Sequence, residues 1–358
     1  MPVLFRPVFA AALFALGALA DPAAARSAPP AAERPRLAVF TDIGGDPDDE
    51  QSMVRLLHYA NEFELELLAA TAIRSRHVPA GPETRPQLIQ RLVDAYAAVL
   101  PHFRRHAAGW PSADALRARI VSGNPRYGRA FIGADHDTAA SRALIARIDA
   151  GSPEQPLNLA FWGGQTDLAQ ALWRVKQDRG PAGLAAFVRA FRVYDVSDQD
   201  GLADWLHTEF PGMFYLIARA APGRAKEEAT FRGMYLTGDE SLTSRAWIEA
   251  NVLSRGPLGA LYPVKTYTVP NPHGCMKEGD APSWFFFLPR GGNDPRDPTR
   301  PGWGGQYRRL PDGRWSDLPA AGDFEPRHTV SRWRPDFQRD FARRTAWAVP
   351  GTPVADSP

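Results

Sequence analysis

Short apolar runs that alternate with stretches of helical periodicity constrain this chain more than any other feature. Leu37-Ala38-Val39-Phe40, Leu65 to Thr71, Leu157 to Trp162 and Ala190 to Tyr194 are each short enough for a buried strand. Between them, apolar residues recur at helical spacing: Met53, Leu56 and Leu57; Leu88, Ile89, Leu92, Val93 and Tyr96; Leu144, Ile145 and Ile148; Leu168, Ala169, Leu172 and Trp173. This alternation predicts an α/β fold, an open and mostly parallel sheet with helices on both faces. Beyond about residue 255 Pro, Gly and aromatics dominate and the helical signal weakens. That C-terminal part is expected to be loop-rich, with a hairpin near Asp312-Gly313 and a last helix over Pro335 to Trp347.

The ends read differently. Arg6 precedes an apolar run from Val8 to Ala20 that closes on Ala18-Leu19-Ala20, the pattern of a signal peptide over residues 1–20. The run falls short of the ~20 residues of a comfortable membrane span. Residues 21–34, rich in Ala and Pro, read as a flexible linker, 35–349 as one domain and 350–358 as a disordered tail. The expected destination is secreted or periplasmic, with no membrane contact after signal cleavage. Cys275 is the single cysteine, so no internal disulfide can form. A net charge of +2 gives no nucleic-acid footprint, and a homo-oligomer is left open.

Thr41-Asp42-Ile43-Gly44-Gly45-Asp46-Pro47-Asp48-Asp49 places four carboxylates in the first strand-to-helix turn. Two unit charges about 4 Å apart repel by roughly 4 kcal/mol at an effective dielectric near 20. Acids held this close protonate, splay into solvent or share a cation. Asp46 suits an N-cap, with Pro47 at the first helical position. The spacing is not that of an EF-hand, and without Gly-Lys-Ser/Thr it is not a phosphate loop. In an open α/β sheet such a turn lies at the edge where ligands bind.

On these residues the chain resembles the nucleoside hydrolase family, whose Asp-rich turn holds calcium and a ribose. The usual motif is Asp-Pro-Gly-x-Asp-Asp; the form here is longer by two residues and resembles the secreted nucleoside-hydrolase-like branch sometimes labelled cellulose-binding. The resemblance implies a Rossmann-like sheet, a calcium cofactor and hydrolysis of a glycosidic bond in a glycan, glycoside or nucleoside. It implies that Asp42 is a calcium ligand and general base for the attacking water, Asp49 a calcium ligand and Asp48 a catalytic acid that binds a sugar hydroxyl. Asp46 has no counterpart and is assigned to substrate. Direct attack by one activated water implies inversion.

Later segments extend the match. Trp162-Gly163-Gly164-Gln165-Thr166-Asp167 resembles the family turn whose backbone carbonyl coordinates calcium, which points to Trp162. Tyr194 to Asp200 stands where sugar contacts lie, making Asp198, Gln199 and Asp200 substrate candidates; Asp200 also suits a cap for the helix carrying Trp205 and Leu206. Lys277-Glu278-Gly279-Asp280 aligns with a family His-Asp pair. Asp280 takes the calcium-ligand place, Gly279 stands where the leaving-group His would be, and Glu278 or His273 is left to donate the proton. Arg74-Ser75-Arg76-His77 lies at the same sheet edge, and Trp284, Trp303 and Tyr307 are candidates for stacking on sugar. The missing His and the aromatics keep a second reading open: a carbohydrate-binding protein without catalysis on the same scaffold.

Overall fold

In the computed structural model, which describes residues 34–354 apart from 76–77, 79–80 and 266–272, one sheet organises the chain. Its strands are β1 (Arg36–Thr41), β2 (Glu64–Ala70), β3 (Ile120–Ser122), β4 (Leu157–Phe161), β5 (Phe191–Val196), β6 (Phe214–Ala218), β7 (Tyr307–Arg309) and β8 (Trp315–Asp317). They lie in the order β3-β2-β1-β4-β5-β6-β8-β7. Every pairing is parallel except β7 with β8, the hairpin expected around Asp312-Gly313. The expected signal peptide and nearly all of the expected linker lie outside the described residues.

The main helices are α1 (Asp48–Leu57), α2 (Pro86–His106), α3 (Ala139–Asp149), α4 (Gln165–Phe187), α5 (Ala203–Glu209), α6 (Ala281–Phe285) and α7 (Arg334–Ala346). Strand parity sorts the core into two layers. Leu37 and Val39 face Met53, Leu92, Val93 and Phe337, whereas Ala38 and Phe40 face Leu144, Leu168 and Leu172 on the opposite side. Helices therefore cover both faces, as the alternation predicts; each buried Leu, Val, Met or Phe among these contributes about 1.5–3 kcal/mol of transfer free energy. Among the described residues no helix is long and apolar enough to cross a membrane.

Two parallel strands escape the sequence pattern. β3 spans only three half-buried residues, and β6 follows a short helix without a clear change of period. The C-terminal part is loop-rich as expected, with only short elements between Gly259 and His328, yet its aromatic rings are packed in the core. Trp284 packs on Tyr59 at 5.3 Å, and Phe285 on Trp303 at 5.6 Å and Phe337 at 5.3 Å, all in the core on the α1 side. Beyond Pro350, the Thr352 hydroxyl donates to the Ala346 carbonyl at 2.7 Å, tying the start of the tail to α7.

Strand order reverses at β1, which pairs with β2 on one side and β4 on the other. The crevice beyond the carboxyl ends of β1 and β4 is thus the topological switch point, where open α/β sheets take their ligands.

Candidate functional site

A cleft of about 1090 Å³ opens at this switch point, walled by the loops that follow β1, β2, β3 and β5 and by residues 226–232 and 277–280. Asp42, Asp46, Asp48, Asp49, Lys277 and Asp280 form its floor. One oxygen from each of Asp48, Asp49 and Asp280 lies within 4.8 Å of the others, and all three side chains are buried.

Local backbone explains how the acids converge. The chain leaves β1 in a tight turn, with the Gly45 N–H donating to the Asp42 carbonyl at 3.1 Å. Asp46 is not the cap of α1: Pro47 holds that position without a side-chain bond, and Asp46 turns instead to the Lys277 ammonium. Asp48 and Asp49 open the first turn of α1, where the helix dipole favours negative charge. Behind them the loop after β4 comes very close. A Cβ on Gly164, at φ +80°, would sit 2.4 Å from the Thr71 methyl, and one on Gly163 3.2 Å from the Asp42 Cβ. Only glycine permits this approach.

The fourth wall turns on a strained residue. Glu278 has φ 45°, and this left-handed step separates its side chain from those of Lys277 and Asp280. Lys277 and Asp280 line the cleft; Glu278 is fully buried in an ion pair with Arg55 and accepts from the Tyr262 hydroxyl at 2.5 Å. The assignment of Glu278 as leaving-group acid is therefore corrected: it neutralises a core arginine and does not reach the cleft.

Electrostatics set the floor apart. Burial, then the neighbouring acids, raises the Asp49 and Asp280 carboxyls well above the usual range. Burial is also the main cause that lifts Asp42 to about 7, against the Arg74 N–H that donates to Asp42 Oδ2 at 3.1 Å. Asp48 is raised by burial and held down by Lys277, whose ammonium lies 3.1 Å from Asp48 Oδ2. Asp49 accepts from the Thr41 hydroxyl, whereas Asp280 Oδ2 is buried with no hydrogen-bond partner. One ammonium does not neutralise five carboxylates, and an orphaned buried oxygen invites a ligand. The all-oxygen donor set fits a hard divalent cation such as calcium. It gathers Asp48, which was expected at the sugar, with the expected ligands Asp49 and Asp280, and leaves Asp42 beside the group.

Other assignments change. The Trp162 carbonyl accepts from Gln199 Nε2, so the expected metal ligand and the expected sugar-reading side chain meet each other. Asp198 spends its carboxylate on the N–H groups of Leu202 at 2.7 Å and Ala203 at 2.9 Å and pairs with Arg219, so it caps α5 and leaves the cleft wall to Ser197 and Gln199. Asp200 takes the Thr166 N–H at 2.8 Å and hydroxyl at 2.6 Å; it caps α4 rather than contacting the cleft or the following helix. Trp284 and Trp303 are core residues, not sugar platforms, and Tyr307 is buried against Tyr194. Arg76 and His77 lie outside the described residues, and no histidine is among the described residues lining the cleft. A Cβ on Gly279 would lie 3.4 Å from both Asp48 Oδ2 and the Phe231 ring, an ordinary contact distance beside the cleft floor.

Sequence reasoning missed the upper wall. Tyr127, 43% exposed, and Phe131 come from the loop after β3, and Phe231 and Arg232 from the 3₁₀ segment Thr230–Met234. Nothing periodic marks these loops; only the pairing of arginine with aromatic in Arg126-Tyr127 and Phe231-Arg232 hints at them.

A family model described as cellulose-binding Sde182, nucleoside hydrolase-like domain, matches residues 36–307. Among solved structures, a nucleoside hydrolase-related hypothetical protein from Saccharophagus degradans, associated with carbohydrate metabolism, is similar at a TM-score of 0.71 and 30% identity, covering 88% of this chain and 72% of that one. No curated protein matches the chain.

Proposed function

The chain belongs to the Sde182 nucleoside hydrolase-like family, and from that premise we propose that its cleft binds a saccharide beside a calcium ion and hydrolyses a glycosidic bond. The observation that carries this reading is the buried, under-neutralised group Asp48, Asp49 and Asp280 at the switch point, with Asp42 next to it. Calcium held there would supply the charge that orients sugar hydroxyls and makes a nearby water more acidic. Asp42, whose carboxyl titrates near neutrality, is suited to take a proton from an attacking water at physiological pH. Lys277 holds Asp46 and Asp48 in place and offsets part of the floor's charge. A carbohydrate substrate accords with the cellulose-binding description of the family and with the carbohydrate association of the Saccharophagus relative; export directed by residues 1–20 would bring the protein to glycans.

A second reading has its own support. Gly279 stands where the leaving-group histidine of the resemblance would be, and no histidine is among the described residues lining the cleft. On that basis the protein binds carbohydrate without cleaving it. One screen decides between the two: nucleosides, aryl glycosides and plant and bacterial polysaccharides, with calcium and with chelator. Chelator-sensitive cleavage that drops about 10²–10⁴-fold in Asp42→Asn is expected for the hydrolase. Saccharide binding with no turnover on any substrate would establish the binding protein and overturn the enzymatic reading.

A further inference from the structure

Three arginines on the wall of the cleft each stack on an aromatic ring that lines the same cleft. The Arg74 guanidinium lies 5.3 Å from the Tyr127 ring centroid, Arg126 lies 5.5 Å from Phe131 and Arg232 lies 5.0 Å from Phe231. Elsewhere Arg174, Arg179 and Arg344 stack on rings and also hold a carboxylate, while Arg129 and Arg332 stack without an ion pair but lie outside the cleft. None of the three cleft arginines forms an ion pair with a described carboxylate, though Arg74 acts on the Asp200 charge from farther away. Arg232 donates to the Tyr235 hydroxyl, and its Nε is buried with no partner at all.

Stacking fixes the plane of a guanidinium and leaves its N–H edge for an acceptor in that plane. Three such edges, set on loops around one cleft and in no ion pair with a described acid, suit a ligand oxyanion. The acidic floor repels that oxyanion, so the anionic group must lie along the wall while the uncharged ring lies towards the floor. The exposed Tyr127 face offers an apolar surface for the flat side of a sugar. A neutral glucan would present only hydroxyls to the three cations. We infer that Arg74, Arg126 and Arg232 select a glycoside bearing an anionic substituent, a carboxylate or a phosphate, over its neutral counterpart.

This inference rests on the saccharide-binding reading above and is tested by binding, independently of turnover. The full chain is titrated calorimetrically with two pairs, trigalacturonate against cellotriose and a nucleoside 5′-monophosphate against the nucleoside, in calcium and in chelator. The anionic member of at least one pair is expected to bind about tenfold tighter, and the pair that shows it distinguishes carboxylate from phosphate. Arg126→Gln with Arg232→Gln should abolish that preference and leave the neutral member's affinity unchanged, a ratio within one variant that general destabilisation does not mimic. Equal affinity within both pairs, no binding by any of the four, or a preference that survives in the double variant would overturn the inference. Chelator-sensitive cleavage of a neutral glycoside alongside equal affinities would leave the proposed function standing; anionic preference without any cleavage would do the reverse.

Discussion

Two buried charge clusters share the α1 side of the sheet and behave in opposite ways. In the first, Arg55 and Glu278 are fully buried and meet each other, with Gln338 and Tyr262 completing the contacts. In the second, Asp48, Asp49 and Asp280 outnumber the single Lys277 and leave Asp280 Oδ2 without a partner. Arg55 and Asp49 lie on the same helix, and Glu278 and Asp280 are two residues apart. Balance of sign therefore separates scaffold from site more sharply than position does. A closed pair gains its stability from its own members, whereas a surplus of one sign at a cleft is stable only with something from outside.

The largest expected effect breaks the balanced cluster. Glu278→Ala leaves Arg55 buried and unpaired, and should lower the unfolding free energy by about 3–5 kcal/mol in urea denaturation. Retention of full stability would show that the pair does not hold the core. The surplus cluster should respond to a cation instead. At calcium one hundred times its dissociation constant, the protein should gain about 2.7 kcal/mol, read as a rise in melting temperature, and Asp280→Asn should abolish the gain. A calcium response undiminished in Asp280→Asn would move the cation elsewhere.

Asp317 sharpens the contrast, because it is a buried acid with neither an arginine nor a cleft. Burial pushes its carboxyl up to about 8, against the Thr230 N–H that donates to it at 2.7 Å. Unfolded, the group titrates near 3.8. Between those values the folded chain keeps a proton that the unfolded chain has lost, so this group makes stability fall as pH rises from about 4 to about 8, by up to about 1.4 kcal/mol per unit. Asp317→Asn should flatten that part of the stability profile; an unchanged slope would reassign it to other carboxyls. A lone buried acid is thus neutralised by a proton, whereas the three together offer the oxygen ligands of the proposed cation. The smallest effect belongs to the wall: Tyr127→Ala should weaken saccharide binding by about 1 kcal/mol in calorimetry without altering the calcium response.

The four expected strands and the helices between them were legible because each face of a doubly covered sheet needs apolar side chains, and that need imprints a length and a period on the chain. The acidic turn was legible for a simpler reason: four carboxylates within nine residues must resolve their repulsion wherever they fold. Trp284 and Trp303 were misassigned because an aromatic residue carries no mark of whether its ring faces core or cleft, and here the rings of Phe285 and Phe337 enclose Trp303. Asp198 and Asp200 looked like sugar ligands because a carboxylate that caps a helix and one that binds a hydroxyl have the same sequence signature. Tyr127 and Phe131 stayed hidden because their loop follows a strand of three residues and has no period of its own.

Sequence alone determined the parallel sheet and the placement of an acidic turn at a strand's end, since periodicity and charge repulsion act locally and leave local traces, while Asp280 was named only by the family resemblance. Only the tertiary structure decided which acids remain unpaired. The left-handed step at Glu278 buries that carboxylate against Arg55, 223 residues earlier in the chain, while Lys277 and Asp280 line the cleft with Asp46 and Asp48. Whether a charge is compensated depends on partners brought together by the fold, and no window of sequence contains them.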